Sequence, residues 1–268
     1  MRFVWLAGCV LLAGCGGRAV APAVVYPQRA PEFAVRPYEP FSRQAAVAIA
    51  LREWRLFGEG VFDDPPGTPE LQGDDKPERQ AGLWQRVGEY WWEGQDASNP
   101  TSTWTGKHDG NGVVFPATQD GDFAWSAAFV SYVMRIAGAG TRFPYAPSHS
   151  TYINIAVKMA RGETQGWAVV AERPEMYAPQ LGDLICAGRN GARDLRYDDL
   201  PTGSFTSHCD IVIGPTAQGL AVIGGNVRDA VTMKHVPVDG SGRIAGVGGA
   251  PYDRRYPWMV VLRVDYQY

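Results

Sequence analysis

The strongest constraint in this sequence is a change of hydrophobic period near Gly162. Before it, apolar residues recur at helical spacing; after Trp167 they come in short β-branched runs. Ser42 can cap a first helix with apolar positions Ala45, Ala48, Leu51 and Trp54, stopping before Gly58. In "ERQAGLWQRVGEYWWEG" Leu83, Val87, Tyr90 and Trp91 share a face with Trp84 beside them. Such an aromatic stripe is read as core, its other use being to stack on sugar rings. "DFAWSAAFVSYVMRIAGAG" gives a third helix with a stripe of Trp125, Phe129, Val133 and Ile136, Asp122 as N-cap and Gly138 as its stop. A fourth runs from a Ser150 cap to Gly162, with Tyr152, Ile155 and Met159 on one face. Strands are then expected at Trp167–Ala171, Asp183–Ala187, Asp210–Ile213, Leu220–Ile223, Val231–Val236 and Met259–Val264. Helices first and strands afterwards imply an α+β fold with an antiparallel sheet, not a doubly wound one.

Residues 1–15 stand apart from that fold as a lipoprotein signal peptide. Arg2 supplies the positive start, Phe3 to Leu12 are too short to span a bilayer, and Leu12-Ala13-Gly14-Cys15 looks like a bacterial lipobox. A second copy, Leu6-Ala7-Gly8-Cys9, lies too close to Arg2, so Cys15 is the expected lipidation site and membrane anchor. Gly16 follows it, where an Asp would resemble an inner-membrane retention signal, so the expected address is the outer membrane, facing the periplasm. Residues 16–40 are rich in Pro and Ala and read as an extended tether; residues 41–268 form a single domain. A net charge of -3 with no basic run argues against nucleic acid as a partner. Cys186 and Cys209 remain, in strand-like stretches, and either pair in an oxidising compartment or stay as buried thiols.

The chemistry-bearing residues fall on both sides of the period change. Ser126 lies in the first turn of its helix, where free backbone amides and the helix dipole favour negative charge. Alternation in "SHCDIVIG" puts His208 and Asp210 on one face of a strand and Cys209 on the other. Asn226 ends the next strand after Gly224-Gly225. A nucleophile, a base and an orienting amide in this order can form a triad. The other readings stay open: Ser126 as a helix-start serine, His208 as a core histidine, and Asn226 as a turn residue. His149 and the loop carrying Arg189, Arg193 and Arg196 can line the same cleft. A metal site from His108, His149, His208 and Asp210 has no tight ligand spacing behind it, and "HDGNG" at 108–112 lacks the closing Glu of an EF-hand, so no metal or cofactor is expected.

"WSAAFVSYVMRIAG", "GDLI", "SHCDIVI" and "GGN" resemble the successive motifs of the CHAP and NlpC/P60 peptidoglycan hydrolases of the papain-like superfamily. More closely, over roughly residues 80–235, the chain resembles the bacterial family DUF2272, which carries a Trp-Ser-Ala-Ala-Phe pattern in this place. The resemblance implies a papain-like core over 105–268 behind a helical extension at 41–104. It implies Ser126 as nucleophile, His208 as base and Asn226 as orienter, with Gln119 as an oxyanion-hole side chain; Trp125, His149 and Asp210 are read beside it as residues toward the substrate. Two departures stand out: the nucleophile is oxygen where those hydrolases have the sulfur of cysteine, and Gly224 stands where many CHAP domains carry a glutamate. The implied activity is amide hydrolysis in peptidoglycan or another envelope substrate; the alternative is a non-catalytic envelope-binding or scaffold lipoprotein that retains the fold.

Overall fold

The computed structural model describes residues 40–64, 76–94 and 123–267. The signal peptide with Cys15, the tether up to residue 39, His108, the 108–112 stretch, Gln119 and Asp122 lie outside them. Six strands form one sheet: β1 (Val169–Glu172), β2 (Leu184–Gly188), β3 (Ser207–Thr216), β4 (Gly219–Val227), β5 (Ala230–Val236) and β6 (Trp258–Val264). Their order is β1-β6-β2-β3-β4-β5 and every neighbouring pair is antiparallel. The α+β class expected from the period change is therefore what the chain adopts. β2 to β5 follow one another as a meander, and β6 returns between β1 and β2. The aspartate of "GDLI" explains itself here. The buried Asp183 carboxylate accepts the amides of Val264 at 3.0 Å and Gln180 at 2.9 Å and the Tyr177 hydroxyl at 2.9 Å. It ties the start of β2 to the end of β6.

Cys186 and Cys209 lie directly opposite each other on β2 and β3 and are joined as a disulfide. Of the two alternatives the sequence left open, the structure takes the cross-link. Both sulfurs sit in the larger apolar core, among Trp125, Phe129 and other residues of the helical layer.

Helix α1 (Arg43–Leu56) starts where Ser42 Oγ accepts the Ala45 amide at 3.1 Å. It buries Ala46, Ala50 and Glu53, a different face from the expected Ala45, Ala48, Leu51 and Trp54. The reason is polar. Glu53 accepts hydrogen bonds from Arg86 Nη2 at 2.6 Å and from the Tyr90 hydroxyl at 2.6 Å. Those donors stand on or beside α2 (Leu83–Glu93), which buries Val87, Tyr90 and Trp91, so the aromatic stripe is core. Trp92 alone of its aromatic run is well exposed. Helix α3 (Ser126–Ile136) is buried on every side from Ser126 to Met134. It packs between α1 and α2 on one side and β3 and β4 on the other. Gly138, at φ 95°, ends it. Helix α4 (His149–Ala160) packs on β1 and begins after Ser148, earlier than the expected Ser150 cap. No helix among the described residues is long and apolar enough to cross a membrane.

Candidate active site

Ser126 and His149 are each the first residue of a helix, and the two helix starts meet. Trp125 is the N-cap of α3, and the first intrahelical bond runs from the Phe129 amide to the Trp125 carbonyl. The amides of Ser126, Ala127 and Ala128 thus precede the helical ladder, where negative charge is favoured. Ser126 Oγ shares a hydrogen bond of 2.7 Å with His149 Nε2. The other nitrogen of that ring, Nδ1, is bonded to the hydroxyl of Tyr152, one turn along α4.

His208 stands beside this chain, its ring edge-on to His149 with centroids 5.4 Å apart. The expected direct bond between Ser126 and His208 is absent, because His149 occupies the serine's side. The expected orienter is also different. His208 Nε2–H donates to Asp210 Oδ1 at 2.8 Å, and the second oxygen of Asp210 forms an ion pair of 2.6 Å with Lys234 Nζ on β5. Period-2 spacing brings these groups together, since His208 and Asp210 share a face of β3. His208 Nδ1 has no hydrogen-bond partner among the described residues.

Gly224 shows why this carboxylate comes from β3. A Cβ there would lie 1.8 Å from Asp210 Oδ1 and 2.8 Å from His208 Nε2, so Asp210 fills the space a side chain on β4 would need. Asn226 sits at the register shift between β4 and β5 with φ 53°, a left-handed conformation that Asn tolerates better than most residues. Among the described residues its amide makes no hydrogen bond to His208.

Electrostatically the cluster is neutral at its rings and charged beneath them. Burial pushes the His208 imidazolium down to about 4, Arg189 and Lys234 adding to it against the pull of Asp210. Burial likewise drives His149 well below its ordinary value, with His208 and Arg189 reinforcing it. Burial favours a protonated Asp210, but Lys234 and His208 outweigh it and hold the carboxyl well below the usual range. Both histidines are therefore neutral near pH 7, above an Asp210–Lys234 pair of zero net charge. Lys234 is wholly buried, its ammonium 4.6 Å from the Tyr256 ring centre and 5.6 Å from that of Trp258.

Of the residues expected near substrate, Trp125 is fully buried and its indole N–H donates to Glu78 at 2.6 Å, so it holds the start of α3 and is not a free stacking platform. Asp210 is enclosed with His208 and Lys234. His149 touches the serine itself. Sequence reasoning missed Tyr152 and Lys234, both of which read as ordinary helix and strand positions. No curated protein and no solved structure matches the chain. A family described as "Uncharacterized protein conserved in bacteria (DUF2272)" matches residues 78–264, more than half of the chain and all of the elements that carry the site, and the chain belongs to that family.

Proposed function

We propose that this chain hydrolyses an amide bond of peptidoglycan or a similar cell-envelope substrate through an acyl-enzyme on Ser126, on a papain-like core of the CHAP and NlpC/P60 kind. The observation that carries this reading is the serine at a helix start, bonded at 2.7 Å to one imidazole and flanked by a second whose Nδ1 is unpartnered among the described residues. Ser126 Oγ attacks the carbonyl carbon while its proton passes to His208 Nδ1. The C–N bond then breaks and that proton leaves on the amine. Water gives a proton to His208 and its oxygen to the acyl carbon, and the released carboxylic acid leaves Ser126 Oγ to recover the proton. Asp210 orients His208, the role the motif resemblance gave to Asn226. The amides at the start of α3 suit a developing oxyanion.

An oxygen nucleophile makes this orientation necessary. A hydroxyl ionises far less readily than a thiol, so its proton must leave as the bond forms. The Cys186–Cys209 disulfide supports the envelope address, because such cross-links persist in oxidising compartments. With it goes a lipid at Cys15 and an outer-membrane site facing the periplasm. The rival reading is a non-catalytic envelope-binding or scaffold lipoprotein. It draws on the enclosure of the site, with Ser126 exposed by 6%, His149 by 3% and His208 by 1%.

The test is digestion of purified peptidoglycan with the full chain in detergent, read by mass spectrometry. New primary amines with loss of intact muropeptides are expected. Sedimentation with peptidoglycan and no new amines would make the protein a binding module.

A further inference from the structure

Tyr152 and His149 belong to no motif behind the hydrolase reading, yet they touch the serine oxygen directly or through one ring. The Tyr152 side chain is fully buried, and among the described residues its hydroxyl has one hydrogen-bond partner, His149 Nδ1. A buried hydroxyl keeps its hydrogen bonded, and here there is one acceptor for it. Nδ1 of His149 is then an acceptor, and a neutral imidazole has its single hydrogen on the other nitrogen. That nitrogen, Nε2, lies 2.7 Å from Ser126 Oγ.

We propose that the hydrogen bonds run one way, from Tyr152 to His149 to Ser126, making His149 a fixed donor to the nucleophilic oxygen and Tyr152 the residue that positions it. The inference rests on the hydrolase reading only for what the donor accomplishes. The rest of the site agrees with this direction. With Nε2–H of His149 already aimed at Oγ, the serine hydrogen is left for another acceptor. His208 Nδ1 is the buried ring nitrogen without one, and its own Nε2–H is committed to Asp210. Beyond His208 the order continues to Asp210, whose second oxygen meets the Lys234 ammonium.

The chemical consequence answers the oxygen-for-sulfur substitution. A donor aimed at Oγ stabilises the oxygen as it loses its proton and supplies part of the acidity that a thiol has by nature. It also separates the duties of the two histidines. His149 stabilises the oxygen, and His208 takes the proton.

The direction is measurable without any substrate. The full chain, labelled with ¹⁵N-histidine in detergent, reports the tautomer of each ring by NMR, with signals assigned through single His→Gln variants. His149 should show a proton-free Nδ1 and a protonated Nε2, and Tyr152→Phe should move part of its hydrogen to Nδ1. Labelling of Ser126 by a fluorophosphonate probe should slow by about five- to tenfold in Tyr152→Phe, roughly the worth of one hydrogen bond. A protonated Nδ1 in the parent chain would overturn the proposal and make His149 the base. The NMR result decides the direction of the chain, and peptidoglycan cleavage decides the hydrolase reading, so the failure of either is seen separately.

Discussion

Ser126 is the residue on which the functional reading turns, and it stands where a thiol would be activated, at a helix start beside an imidazole. Ser126→Cys should therefore retain or gain amide hydrolysis and become sensitive to iodoacetamide, whereas Ser126→Ala should abolish turnover. Full activity in Ser126→Ala would remove the nucleophile assignment. Lys234 offers a test that needs no substrate. Its ion pair with Asp210 is fully buried, and Lys234→Met leaves a buried carboxylate without its counter-charge. Such a break costs about 3–5 kcal/mol. The loss of a nearby cation should also raise the His208 pKa, since Lys234 now helps to lower it. Urea unfolding and NMR titration of His208 check both effects, and an unchanged midpoint with an unchanged titration would show that the pair balances nothing. At this scale the sequence was legible where one strand face carries the chemistry, as with His208 and Asp210. It was opaque where a partner comes from another element. Nothing near Lys234 in the chain distinguishes it from a solvated strand lysine, and the serines on both sides of His149 are each plausible helix caps.

Elements bring these residues together by close approach. β4 passes under α3 at Gly225, where an added Cβ would lie 2.5 Å from Phe129 Cβ and 2.9 Å from the Trp125 ring. No side chain fits there without moving the helix whose first residue is Ser126. Gly225→Ala should thus cost about 1–3 kcal/mol through overpacking and slow fluorophosphonate labelling of Ser126, although residue 225 lies on the opposite face of β4 from Gly224 and Asp210. Normal stability and labelling would mean that α3 has slack against the sheet. All six strands could be read in advance, because β-branched runs between Gly and Pro have few other uses in a chain of this kind. The helical faces were read less well. α1 turns a glutamate inward because Arg86, Tyr90 and Tyr132 wait for it on α2 and α3. α3 has no polar face to find, because it is covered on both sides. Periodicity reports an interface between core and water, and fails where both faces are core.

At the scale of the whole molecule, the family match begins at residue 78, while the compact unit begins at residue 39. Helix α1 lies between those limits, and its Glu53 is bonded into the layer that carries α3, so the helix that begins at Ser126 rests on residues outside the matched stretch. The same enclosure sets how the fold responds to acid. His208 is lowered from 6.5 to about 4, chiefly by burial, and burial likewise drives His149 well below its ordinary value. In the unfolded chain both take up a proton as pH falls through about 6.5, which the folded site resists. The stability these neutral rings contribute is complete above about 6.5 and declines as pH falls toward 4, by up to about 1.4 kcal/mol per pH unit for each. Asp210 acts lower on the scale. Its folded pKa lies below the usual 3.8, so its contribution is present above that value and is lost only in stronger acid. Urea midpoints measured from pH 7.5 to 4.5 should therefore fall steadily below about 6.5, and His208→Gln should flatten the slope by removing one of the two groups that produce it. A midpoint independent of pH across that range would mean that water reaches the rings and that the site is open, which would also remove the main observation favouring a non-catalytic role.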